Sequence, residues 1–276
     1  MAEAGERTQK GLKDVGRPAR GRSLRPFIVG LVSPLALLAL WQFASGRLIN
    51  ATLFPPPTVV FEELRTMTGS GEIFVHVLAS LQRIMIGFVA GCLVGALLGA
   101  AIARIRLLRE LFDPILQLIR PVSAVAMIPF AIIWFGIDEL SRYFIVFYAT
   151  VFAVLINTMA GVATVPVSRI RAALCLGASR SQVFFRVILP SSLPYVLTGM
   201  RTALGFSFMG IVAAEMIAGQ TGIGYLIMQS RLMIQTERTF VGVLALAVVG
   251  FLADLLFRSL VDKTMKRYMQ YLHQSY

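Results

Sequence analysis

Six stretches of the chain stay apolar for about the thickness of a bilayer core. Residues 27–46 and 84–103 are each 20 residues long and free of charge, enough for a helix to cross roughly 30 Å of hydrocarbon. Residues 121–137 form a shorter run containing Pro129, and residues 143–168 form one of 26, longer than a crossing needs. Two more runs, 195–219 and 240–261, are interrupted by ionisable residues: Arg201 and Glu215 in the first, Asp254 and Arg258 in the second. The pattern predicts an all-α integral membrane protein with six transmembrane helices over 27–261, between a basic, disordered tail (1–26) and a short C-terminal tail (262–276).

Six crossings put both termini on one side. Of the 26 Lys and Arg, 20 then fall on the face shared by the two tails and the even-numbered loops, and six on the other. Positive charge gathers on the cytoplasmic side, so both termini and the loop 164–194 are expected in the cytoplasm. The composition agrees. The chain is 57% hydrophobic and 14% charged, against roughly 25% charged in soluble domains, and its mean hydropathy is +0.76. A net charge of +12 would suggest nucleic acid in a soluble protein. Segregated to one membrane face, it reads as topology, with lipid as the neighbour and no nucleic-acid partner.

On the outer side, "FPPPT" (54–58) reads as a stiff polyproline turn and "TGSGE" (68–72) as a flexible break. Residues 59–67 and 73–82 have helical spacing and are expected to lie along the outer surface. Signals for catalysis are missing: no nucleophile elbow, no paired His/Glu set, no metal-ligand spacing, and no G-x-x-x-x-G-K-[ST] phosphate loop. Cys92 and Cys175 fall at different depths and are not expected to pair. No internal repeat supports an inverted-repeat secondary transporter.

Ionisable groups at membrane depth point to function or to helix pairing. Glu215 either lines a pore or gate near the outer end of its span or hydrogen-bonds a neighbouring helix. Arg201 is expected to snorkel to the cytoplasmic headgroups, and Asp254 to pair with Arg258 at i,i+4. Asn157 either bonds across helices or, with Met209, faces a pore. Gly91, Gly95 and Gly99 stand four apart, a spacing that lets helices approach closely within the chain.

The loop 164–194 is patterned like a folded element. Residues 169–176 predict two helical turns stopped by Gly177. Ser179 with Gln182 predicts a capping box opening a second helix, which Pro190 and Pro194 end before span five. Its exposed corner either rests on the inner leaflet or docks a cytoplasmic partner.

This corner resembles the cytoplasmic signature of permease subunits in binding-protein-dependent ABC importers: Glu-Ala-Ala, three residues, Gly, nine residues, Ile-x-Leu-Pro. Here Arg171, Ala172 and Ala173 are followed at that spacing by Gly177 and by Val187-Ile188-Leu189-Pro190. Val187 stands for Ile, and Arg171 reverses the charge of the family's Glu. "SLQRIMIGFVAG" (80–91), "FDPILQLIRPVSAVAMIPFAIIWFGI" (112–137), "LPYVLTGMRTALG" (193–205) and "IVAAEMIAGQTGIGYLI" (211–227) resemble the nitrate/sulfonate/taurine/bicarbonate branch. The resemblance implies the type I ABC importer permease fold in the bacterial inner membrane. The expected partners are a cytoplasmic ATPase dimer carrying ATP and Mg, a second permease copy, and an external substrate-binding protein. It further implies that Arg171, Ala172, Ala173, Gly177, Ala178, Ser179, Arg180, Leu189 and Pro190 form the coupling surface, and that Trp134, Phe135 and Glu215 lie near the external gate. The rival, an ion-coupled transporter or channel without an ATPase, would need a mid-membrane carboxylate relay, and Glu215 is its only candidate.

Overall fold

The computed structural model describes residues 25–47 and 50–273, with side-chain surroundings for 35–47 and 50–263. All but the last two residues of the expected basic tail over 1–26 lie outside the described residues. The chain divides into two compact units, Met1–Pro57 and Thr58–Tyr276. The first contains helix α1 (Arg25–Ala44). The proline-rich turn folds back onto its end: the Trp41 indole donates to the Pro55 carbonyl (3.0 Å) and the Ser45 hydroxyl to the Phe54 carbonyl (2.6 Å).

The second unit is helical along its described length: α2 (Pro57–Gly69), α3 (Glu72–Arg104), α4 (Arg106–Ile119), α5 (Ile128–Phe135), α6 (Glu139–Ala163), α7 (Val167–Cys175), α8 (Arg180–Ala218), α9 (Ile223–Leu232) and α10 (Thr236–His273). Among the described residues, α3, α6, α8 and α10 are long and apolar enough to cross a membrane. The pair α4 and Ala124–Phe135 passes as a fifth crossing, broken by an 88° bend.

Several expected boundaries move, each for a local reason. Residues 73–82 do not form a surface helix. They are the first turns of α3, which runs 33 residues without a break. The run 121–137 is not a straight span. Pro121 follows the end of α4, Ser123 then caps a 3₁₀ turn over Ala124–Met127 by accepting the Ala126 N–H (3.3 Å), and Pro129 sits at the start of α5. Asp138 caps α6 five residues before its apolar run begins, accepting the Glu139 N–H (2.7 Å). Pro166, which disfavours helical geometry in the residue before it, separates α6 from α7. Pro190 and Pro194 do not end the second loop helix, and α8 runs 39 residues through both. In α geometry the Pro190 ring would press on the Arg186 carbonyl. A π turn over Phe184–Ile188, with the Leu189 N–H reaching Phe184 O, widens the helix at that point. At the other end, α10 continues past 261 to His273.

The core is the three-helix contact of α3, α6 and α8. Gly87, Gly91, Gly95 and Gly99 form a stripe on α3 against which α6 lies backbone to backbone. A Cβ on Gly91 would stand 2.6 Å from Thr150 Cβ, and one on Gly95 would stand 2.6 Å from the Val151 carbonyl oxygen. Around this stripe Ile84, Phe88, Val146, Val154, Val196 and Ile211 are buried together. The buried Thr150 and Ser207 hydroxyls meet at 2.9 Å across α6 and α8. By contrast α10 turns Val248, Phe251 and Leu256 outward, as expected where the surrounding solvent is hydrocarbon.

Gly95→Ala is expected to destabilise the purified protein by about 1–3 kcal/mol through overpacking, because the atom facing the new methyl is backbone. Gly205→Ala, which would meet nothing within 4 Å, is expected to be neutral or to gain up to ~1 kcal/mol from helix propensity. Thermal unfolding in detergent compares the two, and equal stability of both variants would contradict the close approach of α3 and α6.

Candidate functional site

At one end of the bundle, α7 and α8 form a corner whose every backbone turn is closed locally. Gly177 takes φ +83°, the left-handed geometry that glycine adopts without a steric penalty. There the Gly177 N–H reaches Leu174 O (3.0 Å) and the Ala178 N–H reaches Ala173 O (3.1 Å), the two bonds of a Schellman motif. Ser179 and Gln182 then cap α8 reciprocally: Ser179 Oγ accepts the Gln182 N–H (3.2 Å) and Gln182 Oε1 accepts the Ser179 N–H (2.8 Å). Arg171, Ala172, Gly177, Ser179 and Arg180 are exposed, while Ala173, Ala178, Leu189 and Pro190 are half-buried. Val183 and Phe184 anchor the corner inward at 3% and 6% exposure. The Arg104 guanidinium, at the end of α3, lies over Phe184 (4.9 Å) and Phe185 (5.3 Å). The corner is therefore fixed to two long helices at once.

The opposite end of the bundle holds a buried charge cluster. Arg83, on α3, is 3% exposed. Its Nε and Nη2 clasp the Glu139 carboxylate at 2.7 Å each, its Nη1 donates to Glu215 (2.8 Å) and Thr221 O (2.7 Å), and its Nη2 to Thr221 Oγ1 (2.9 Å). All five guanidinium N–H groups are used. Glu215, on α8, is fully buried. It also accepts from Ser80 Oγ (2.9 Å) and the Gly224 N–H (3.0 Å). Ser80 in turn accepts the Ile223 N–H (2.9 Å), and His76 Nδ1 the Gly222 N–H (3.2 Å). Arg142 donates to Glu139 (2.5 Å) and to Ala218 O (2.7 Å). The cluster ties α3, α6, α8 and the loop before α9 into one knot. Gly222, at φ +118°, passes so close that a Cβ would fall 2.2 Å from the Glu215 carboxyl carbon.

Of the residues expected at a pore or gate, the structure brings two together. Asn157 and Met209 line a common cavity between α6 and α8. Trp134 and Phe135 lie apart from it, in an aromatic group around Phe144 with centroids 5.9 and 5.3 Å away. Glu215 is hydrogen-bonded to α3 and to the start of α9. Arg201 does not reach out alone, and Asp254 pairs with it rather than with Arg258, through two bonds of 2.8 Å between α8 and α10. Sequence reasoning missed Arg83, Glu139 and Arg142. Arg83 reads as a flanking charge of the run 84–103, and only the longer α3 carries it inside. Glycines at 219, 222 and 224 beside Glu215 are the signal that the backbone approaches something closely there.

Glu215→Leu leaves the Arg83 guanidinium short of a buried counter-charge, so it is expected to cost about 3–5 kcal/mol. Glu139→Gln, at a half-exposed side chain, is expected to cost less. Unfolding of the purified variants reads the order, and a reversed order would remove Glu215 from the centre of the knot.

Comparison with known proteins gives a consistent picture. The family described as binding-protein-dependent transport system inner membrane component matches residues 73–266. The taurine transport system permease protein TauC of Escherichia coli is 39% identical over 225 residues, covering 80% of this chain and 82% of its own. The bicarbonate transport system permease protein CmpB of Synechococcus elongatus is 30% identical over 266 residues, covering 92% and 95%. A crystal structure described as an amino acid ABC transporter with histidines shares the fold, with a TM-score of 0.54 at 17% identity over 74% of this chain and 98% of that one. The chain belongs to the binding-protein-dependent transport system inner membrane components, and it is the membrane-embedded permease subunit of an ABC importer whose ATPase is a separate subunit.

Proposed function

We propose that this permease imports a small anion, such as a sulfonate, nitrate, bicarbonate or organic acid, delivered by an external binding protein. It works as a pair of identical six-span chains with both termini in the cytoplasm. The corner over 167–190 docks into a groove of the ATPase dimer, which holds ATP and Mg. The observation that carries this reading is the corner itself, which is exposed, capped on both sides and continuous with α8. A floppy loop would absorb an ATPase movement. A Schellman turn and a capping box transmit it into a helix of 39 residues, ~58 Å at 1.5 Å per residue, whose far end is Glu215 and the charge knot. Coupling requires two global states that the partner contacts differently, and a rigid strut between corner and knot lets one end bias the other.

The sixth span is α1, 20 residues long, with the bent α4–α5 pair as the third. Relatives named for taurine and bicarbonate transport support a small oxyanion as cargo. The 20-to-6 segregation of Lys and Arg supports the orientation. Arg171, standing where the family pattern has Glu, is met by an acidic residue on the ATPase.

Gly177→Val forces a β-branched residue into left-handed geometry, a strain of about 1–2 kcal/mol, while its Cβ would meet nothing within 4 Å. In proteoliposomes with ATPase and binding protein, uptake is expected to fall at least about tenfold while the amount of inserted permease is unchanged. Transport at the normal rate would refute the docking assignment.

A further inference from the structure

The cavity that holds Asn157 and Met209 has a volume of about 540 Å³, within the roughly 300–1,000 Å³ of small-ligand sites. Its walls come from one face of α6 (Tyr148, Phe152, Asn157), one face of α8 (Thr202, Phe206, Met209) and the break over 119–125. Along α6 the lining runs from Tyr148 to Asn157, nine residues or ~13 Å of helix rise. The break forms one wall of this open groove because Pro121 and the Ser123-capped turn bend the chain there.

The chemistry of this lining is one-sided. Arg120 is the only charged residue in it. Among the described residues its guanidinium has no ion pair or side-chain hydrogen bond, whereas Arg83, Arg106, Arg142, Arg201 and Arg238 are each paired with a carboxylate. The neutral polar groups add donors. Asn157 uses one amide N–H on Ala153 O (2.8 Å) and keeps the other. Ser123 Oγ accepts the Ala126 N–H and keeps its own proton to give. No carboxylate faces the cavity, since Glu215 is fully bonded in the knot. The middle of the groove is aromatic, with Phe152 and Phe206 on opposing helices. Arg120 is exposed at the rim of the groove, where an unpaired guanidinium favours an anion and repels a cation, while the rings favour apolar area.

We infer that this cavity is an intramembrane substrate subsite for an organic anion with an alkyl or aryl body. Arg120 takes the sulfonate or carboxylate, Phe152 and Phe206 hold the body, and Asn157 and Ser123 offer hydrogen-bond donors at separate points along the groove. The inference rests on the importer reading above and adds a second selectivity step after the binding protein. An anion without a body, such as bicarbonate, would use Arg120 and leave the aromatic walls uncovered.

The test uses the complete transporter in proteoliposomes, with methanesulfonate, octanesulfonate and benzenesulfonate as cargo. The affinity of the external binding protein for each is measured separately, because permease variants leave it unchanged. Arg120→Gln is expected to lower the uptake rate of all three at least about tenfold, with Arg120→Lys restoring part of it. Phe152→Ala and Phe206→Ala are expected to raise KM at least about fivefold for octanesulfonate and benzenesulfonate and to leave methanesulfonate within about twofold, a split that a general folding defect would not produce. Thermal stabilisation of the purified permease by benzenesulfonate is expected to disappear in Arg120→Gln. If the wild type imports the panel while all the variants match it in rate and chain-length preference, the subsite is refuted and the importer reading stands. If the wild type imports none of the panel, the subsite fails as stated, and uptake of nitrate and bicarbonate then decides the importer reading by itself.

Discussion

A guanidinium with all five donors engaged is the fixed point of this fold. Arg83 joins α3 to Glu139 on α6, to Glu215 on α8 and to Thr221 in the loop before α9. Burying an ionised group is costly unless it is paired and hydrogen-bonded, so the four elements that supply these partners hold one arrangement together or lose it together. The return loop shows the consequence. Gly222 and Gly224 turn their N–H groups toward His76 and Glu215, and no side chain fits at Gly222 because the Glu215 carboxyl occupies that space.

Away from the knot, the helices are held by contact. In lipid, apolar burial gives little drive for one helix to prefer another, and small residues that allow close approach take its place. The glycine stripe of α3 brings the α6 backbone close enough for its carbonyl oxygens to touch the stripe. Beside this contact α6 and α8 lie side by side, and their remaining faces and the bend over 119–125 line the open groove around Phe152 and Phe206. The packing that stabilises the bundle thus also shapes a space facing the opposite way.

The two ends of α8 have different physics. At the corner, backbone bonds are closed locally by Gly177, Ser179 and Gln182, and the side chains between them stay exposed. At the knot, Arg83 and Glu215 are buried and most of their bonds are long-range. The first end suits a partner that docks and leaves, and the second suits a part that must hold its shape while the rest tilts. The π turn at Phe184–Ile188 lets one continuous helix contain both ends despite Pro190.

Periodicity and composition were enough to place the apolar runs, and local rules were enough to place the corner. Gly177 as a left-handed stop and the Ser179–Gln182 box each involve residues a few positions apart, so the sequence contains the whole interaction. The glycine spacing on α3 was legible for the same reason, as one face of one helix. What only tertiary structure decided involves residues far apart in the chain. Arg83 reads as the edge of a span until α3 extends to Glu72 and brings it against Glu139 and Glu215, 56 and 132 positions away. Asp254 has an attractive neighbour in Arg258, yet the packing of α8 on α10 hands it to Arg201. The prolines at 190 and 194 read as helix ends because a sequence rule assumes a break there; the π turn removes the conflict at Pro190, and the helix continues through Pro194. Which charge meets which, and which polar residue faces a cavity, depends on how helices rotate against one another. That rotation is set by summed contacts that no single stretch of sequence contains.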